Sequence, residues 1–284
     1  MRKVMLPHGE EVPALGLGTW RMGERADQHG REVAALRTAL DLGYRLIDTA
    51  EMYGEGGAER VIGEALAGAL RTGAVAREAL FLVSKVYPHH ADAQGVQAAC
   101  ERSLQRLGVD SLDLYLLHWR GGVPLAETVA GFERLQQRGL IRRWGVSNFD
   151  GDDLAELALL PGGAACSANQ VYYSLSQRGV EFDVAPWQRA RGMPLIAYSP
   201  IDQGALAAHP SLRVLAERHG AQPAQIALAW LFARPGTIAI PKAVREAHLR
   251  ENLAAADLVL AADELAMLDR LFPPPQRKQP LAIL

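Results

Sequence analysis

Asp48 and Tyr53 follow one short apolar run, Lys85 ends the next, and His118 ends the one after. A carboxylate, a phenol, an amine and an imidazole at such ends can relay a proton to a carbonyl oxygen as that oxygen becomes an alkoxide. A free phenol, with a pKa of about 10, donates poorly near neutrality, but a neighbouring ammonium stabilises the phenolate and lowers that value. Lys85 is the candidate ammonium. Burial disfavours its charge, so it needs an opposing carboxylate, and Asp48 is placed to pair with it. His118 is then the group to hydrogen-bond the carbonyl and stabilise the developing negative charge. Singly, each residue has an ordinary alternative: an ion pair for Asp48 or Lys85, a loop aromatic for Tyr53, a core histidine for His118. Their joint appearance at consecutive run ends favours chemistry.

The runs RLIDTA, LFLVSK and LDLYLLH are aliphatic and unbroken by Gly or Pro, as expected of strands buried on both faces of a parallel sheet. With ALGLG, IRRWGVS, CSANQ, PLIAYS and TIAIPK they make eight, alternating with amphipathic stretches. Val96, Cys100, Ser103, Leu104 and Leu107 share a helical face behind Asp92 as N-cap, which gives Cys100 a packing role. Helical spacing recurs in Val33, Leu36 and Leu40, and in Ile226, Ala229 and Trp230 after Pro223. Eight such alternations favour an α/β fold of the closed (β/α)8 TIM-barrel type, in which distant strand ends meet at one mouth. Tyr53, five residues past Asp48, would return over that mouth on a short loop. KVMLPHGEEVPAL reads as two short strands around a His-Gly-Glu turn (His8, Gly9, Glu10), a β-hairpin plugging the N-terminal mouth. The tail FPPPQRKQPLAIL cannot extend a helix and should cross the surface or reach the opposite mouth.

The 284 residues, 49% of them apolar, suit one barrel domain over residues 1–284. Thirty basic and 32 acidic residues are spread without a basic stripe, which argues against a nucleic-acid partner. Two cysteines, Cys100 and Cys166, are too few for a disulfide framework and suit a reducing compartment. Pro7, His8, Glu10 and Glu11 interrupt any leader-like apolar segment, and no stretch approaches the roughly 20 apolar residues of a membrane span. The expectation is a cytoplasmic monomer without a membrane partner. His89 and His90 are adjacent in a loop with no evident further ligands, so no metal is expected.

GLGTW (16–20), DTAEMYG (48–54), Ser84-Lys85, LLHW (116–119), GVSNF (145–149), Gln170, YSP (198–200) and IPK (240–242) occur in an order that resembles the aldo-keto reductases over nearly the whole chain. The resemblance implies an enzyme that reduces aldehydes or ketones with a nicotinamide cofactor, with Tyr53 as general acid in a tetrad with Asp48, Lys85 and His118. It implies further that Ser147, Asn148 and Gln170 hydrogen-bond the carboxamide and that Tyr198 stacks on the nicotinamide. Ser199, Pro200 and Ile201 would line the pyrophosphate passage. Lys242, with Arg245, His248 and Arg250 nearby, would meet a 2′-phosphate, and Glu251 and Asn252 the adenine. Many relatives carry Arg where this chain has His248, and a neutral imidazole makes no bidentate phosphate contact. NADPH is favoured over NADH through Lys242 and Arg245. GEGGAE (54–59) mimics a dinucleotide fingerprint, but Glu59 replaces its third glycine, so it reads as a loop and helix start.

Trp20, Tyr87 and Trp119 lie beside strand ends and would form an aromatic wall around a small-molecule carbonyl substrate, or else cap the core. The short RGGVPLAE connection suggests an open site for small aldehydes, α-ketoaldehydes such as methylglyoxal, or sugar-derived carbonyls. Two other classes share the fold: a nicotinamide-binding sensor or regulatory subunit, and a lyase using Lys85 as a Schiff base. Borohydride should trap substrate on Lys85 only in the lyase; the reductase reading predicts no adduct.

Overall fold

The computed structural model describes residues 2–7 and 9–284. Strands β1 (Lys3–Met5) and β2 (Glu11–Pro13) pair antiparallel with Val4 opposite Val12. His8, expected in their turn, lies outside the described residues. Eight parallel strands follow: β3 (Gly16–Gly18), β4 (Leu46–Asp48), β5 (Phe81–Val86), β6 (Leu112–Leu117), β7 (Ile141–Ser147), β8 (Asn169–Tyr172), β9 (Leu195–Tyr198) and β10 (Thr237–Ala239). Each pairs with its neighbour in sequence. Parallel bridges from Leu15 to Ala239 and from Gly18 to Lys242 bring the first strand back to the last, closing the barrel. A Cβ on Gly18 would lie 2.5 Å from the Ile240 carbonyl oxygen, so the seam admits only glycine there. Strands β4, β5 and β6 are buried at every residue, as their unbroken apolar runs require.

The hairpin sits against the N-terminal strand ends, where Glu10 forms an ion pair with Arg143 of β7 and the Arg2 guanidinium donates to the Phe232 carbonyl at 2.9 Å. Between the strands run α1 (His29–Asp41), α2 (Gly57–Arg71), α3 (Gly95–Leu107), α4 (Leu125–Gln137), α5 (Gly151–Leu159) and α6 (Val184–Arg189). They are followed by α7 (Pro210–Arg218), α8 (Pro223–Phe232), α9 (Glu246–Ala255) and α10 (Ala262–Leu271). Asp92 Oδ1 accepts from the Gln94 and Gly95 amides ahead of α3, which buries the apolar face read from its spacing. Helix α8 departs from a one-sided face: every residue from Gln225 to Phe232 is buried, because α7, α9 and β10 enclose it.

Two readings shift. The sixth strand starts at Asn169, not Cys166, because a 3-10 turn over Gly163–Ala165 ends on the Cys166 amide, leaving that thiol as buried packing. The glycines of GEGGAE serve a backbone crossing: a Cβ on Gly57 would stand 2.3 Å from the Gly23 carbonyl oxygen. Glu59, fully buried, accepts from Ser84 Oγ at 2.6 Å and Arg106 Nε at 2.6 Å, and so braces the strand that carries Lys85. No helix among the described residues is long and apolar enough to cross a membrane.

Removing one partner of a buried ion pair leaves the other charge uncompensated. Glu59→Ala should therefore lower the unfolding free energy by about 3 kcal/mol, read as a fall in the urea midpoint, with a smaller loss for Glu59→Gln. A midpoint unchanged in Glu59→Ala would show that this brace carries no stability.

Candidate active site

At the C-terminal end of the barrel the backbone brings Asp48, Tyr53, Lys85 and His118 together. Thr19 fixes the end of β4, its Oγ1 donating to the Asp48 carbonyl at 2.9 Å. The Tyr53 amide closes a turn on the Ala50 carbonyl at 3.1 Å, which swings the phenol back over the strand end. Glu51, inside that turn, accepts from the Tyr87 amide at 2.8 Å and so ties the loop to the segment after β5.

Lys85 is wholly buried, and its three N–H donors have three acceptors: Asp48 Oδ1 at 2.7 Å, the Thr49 carbonyl at 2.8 Å and the Tyr53 hydroxyl at 3.2 Å. Burial pulls its pKa down, but Asp48 and Tyr53 outweigh burial and hold it above the usual lysine value. Burial pushes the Asp48 carboxyl up against the opposing pull of Lys85 and of Gln170, whose Nε2 donates to Oδ2 at 2.8 Å. Tyr53 corrects the sequence reading. Lys85 does lower the phenol's pKa, yet burial is the larger effect and the net shift is upward. The phenol is thus held protonated in this state, with the Lys85 ammonium beside its oxygen.

The His118 ring meets the Tyr53 ring edge-on at 5.8 Å, and its Nδ1 has no partner. Burial, and then Lys85, place the imidazole pKa well below its usual value, so the ring is neutral and can accept or donate one hydrogen bond.

These groups open into a cavity of about 350 Å³. Asp48, Tyr53 and His118 line it, whereas Lys85 stands behind them. Trp20 and Trp119 are also on its wall. Tyr87 is not: it packs edge-on against Trp119 at 5.9 Å and its hydroxyl donates to Glu55 at 2.9 Å. Ser147, Asn148, Gln170 and Tyr198 line the floor. The Tyr198 hydroxyl donates to Asn148 Oδ1 at 2.9 Å, and its ring stacks on Tyr172 at 5.5 Å. Asp150 accepts from the Asp152 and Asp153 amides to start α5, which fixes the loop carrying Asn148.

Ser199, Pro200, Ile201 and Lys242 extend the wall toward the rim. Arg245, His248, Glu251 and Asn252 lie beyond the lining. Arg245 contacts His248 Nε2 at 2.7 Å, Arg250 is paired with Glu246, and Asn252 is buried on α9. Residues Arg21, Asn148, Ser199 and Gln203 on the wall have φ of 47 to 62°, a left-handed conformation concentrated at this mouth.

Sequence reasoning missed Met52, Arg21, Gln203, Ile283 and Leu284 on the wall. Met52 was readable, since it lies inside the turn that returns Tyr53. Ile283 and Leu284 come from the irregular tail, which does reach the mouth opposite the hairpin but carries no periodicity that would place its side chains. Among the described residues no three His, Cys, Asp or Glu side chains converge as metal ligands.

The sequence model of the Aldo/keto reductase family matches residues 14–272. The chain is 49% identical over 288 residues to methylglyoxal reductase YeaE of Escherichia coli, covering 99% of each. It is 34% identical over 269 residues to glyoxal reductase of Bacillus subtilis, covering 94% of this chain and 92% of that one. The crystal structure of an aldo-keto reductase from Klebsiella pneumoniae in complex with NADPH superposes with a TM-score of 0.94 at 48% identity, over 100% of both chains.

A neutral, buried His118 predicts that its ring-carbon NMR signals stay constant from pH 8 to about 5.5, where a free imidazole would protonate with a pKa near 6.5. Titration of that ring near 6.5 would contradict the assigned state.

Proposed function

The chain belongs to the aldo/keto reductase family, and from that membership and the geometry above we propose that it reduces small aldehydes and ketones to alcohols with NADPH, Tyr53 acting as general acid. The observation that carries this reading is the buried Lys85 ammonium bonded at once to Asp48 and to the Tyr53 hydroxyl, with the phenol facing an open cavity. Nicotinamide, when bound, supplies the hydride. The residues present fit it: Ser147, Asn148 and Gln170 offer amide and hydroxyl groups on one floor, Tyr198 offers a ring backed by Tyr172, and Lys242 and Arg21 stand as cations toward the rim.

As charge develops on the carbonyl oxygen, the Tyr53 proton moves to it, and Lys85 neutralises the phenolate left behind. The neutral His118 orients the carbonyl and donates to the growing charge. Trp20, Met52 and Trp119 exclude water from one side, with Tyr87 buttressing Trp119. All four relay residues come from one chain, so a monomer suffices for the reaction. Relatives named for methylglyoxal and glyoxal make α-ketoaldehydes the first substrate class to try.

A Schiff-base lyase is poorly supported, because Lys85 has every donor engaged and stands behind the cavity wall. Nor does a sensor role need a complete relay.

The test is NADPH consumption with methylglyoxal and with aromatic and sugar aldehydes, each repeated with NADH. Tyr53→Phe should lose about 10²- to 10⁴-fold in kcat while binding NADPH normally; near-normal turnover would sink the mechanism. Lys242→Ala should weaken NADPH by about tenfold or more with little change for NADH, as for loss of one charged hydrogen bond. Equal losses for both would show that Lys242 does not read the 2′-phosphate.

A further inference from the structure

Gln170 touches the relay as well as the cavity floor. It lies on β8, with β7, β6 and β5 between it and β4 in the sheet, yet its Nε2 reaches across the barrel end to Asp48 Oδ2 at 2.8 Å. The other carboxylate oxygen is taken by Lys85 at 2.7 Å. Gln170 is 1% exposed. Its main-chain carbonyl accepts from Ser147 Oγ at 2.9 Å and from the main-chain amide of Asn148 at 2.8 Å, and Asn148 Nδ2 in turn donates to the main-chain carbonyl of His118 at 3.1 Å. One residue therefore bridges the carboxylate side and the imidazole side of the site.

We propose that Gln170 is a positioning residue of the proton relay, holding Asp48 as a carboxylate so that Lys85 remains an ammonium facing Tyr53. The inference rests on the reductase reading. A buried carboxylate and ammonium have a neutral alternative in which the proton passes from Nζ to the carboxyl oxygen, and a donor on the second oxygen favours the ionised form. Remove that donor and the pair shifts toward neutrality. A neutral Lys85 no longer stabilises the phenolate, so Tyr53 becomes a weaker acid in reduction. It also needs a higher pH to serve as the base in alcohol oxidation. Because Gln170 also faces the cavity, occupation of the floor would fix its amide and steady Asp48 in the same step.

The experiment follows kcat for alcohol oxidation against pH at saturating NADP⁺, in wild type, Gln170→Leu and the isosteric Gln170→Glu. The titratable groups facing the phenol are Lys85 on β5, Asp48 on β4, His118 after β6 and Tyr198 on β9. His118 stays neutral throughout the alkaline range, so the midpoint reports the phenol and its partners. Gln170→Leu should raise the midpoint by about one pH unit and lower kcat for reduction at neutral pH about tenfold. Gln170→Glu places a second acid beside Asp48 and should raise the midpoint further, with its melting temperature measured alongside to separate the shift from any loss of fold. In an Asp48→Asn background, Gln170→Leu should add no further shift.

A midpoint unmoved in both variants, with only NADPH affinity reduced, would overturn the proposal and leave Gln170 as a cofactor ligand. That outcome is separable from failure of the reductase reading, which would show as activity independent of Tyr53.

Discussion

Lys85 carries its charge where only the protein can solvate it. The interior of a parallel barrel offers few free acceptors, since strand carbonyls are used by the ladder, so the ammonium depends on groups that lie past the strand ends. The Asp48 carboxylate, the Thr49 carbonyl and the Tyr53 hydroxyl supply all three. Two of them come from consecutive residues at the end of β4 and the third from the turn that follows. The position of that turn is thus set by the need to satisfy one cation, and the same need brings a phenol to the cavity.

Much of the surrounding fold serves to keep this arrangement rigid. Glu59 ties α2 to β5 one residue before Lys85, and Glu51 ties the Asp48–Tyr53 turn to the segment after β5. The crossing of Gly23 and Gly57, too close for any side chain, packs the loop after β3 onto the start of α2. Around the mouth, the left-handed residues on the wall hold conformations that cost of order 1 kcal/mol each, a strain that persists only where the neighbouring structure determines it. The barrel supplies rigidity below, and strained loops shape the opening above.

The eight strand runs, and the four polar residues that meet at the mouth, were legible because parallel-strand burial leaves unbroken aliphatic runs and because the polar residues that end them stand out. Boundaries were less so: Cys166 is apolar enough to pass for a strand residue, and only the turn geometry excludes it. Tyr87 and Trp119 look alike in sequence, two residues past one apolar run and one past another, and the hydrogen bond from Tyr87 to Glu55 accompanies the turning of Tyr87 away from the cavity. The direction of the Tyr53 shift was misread because a charge partner can be inferred from spacing, whereas the extent of burial cannot. The bond from Gln170 to Asp48 joins residues 122 apart, and nothing local signals it.

The central claim is that Lys85 is an ammonium at working pH. The chain has only four lysines, Lys3, Lys85, Lys242 and Lys278, so isotope-labelled lysine NMR resolves it, with assignment by loss of one signal in Lys85→Met. The account predicts a Lys85 Nζ that stays protonated from pH 6 upward and titrates above the ordinary lysine value of about 10.4. A neutral Lys85 amine near pH 7 would contradict it.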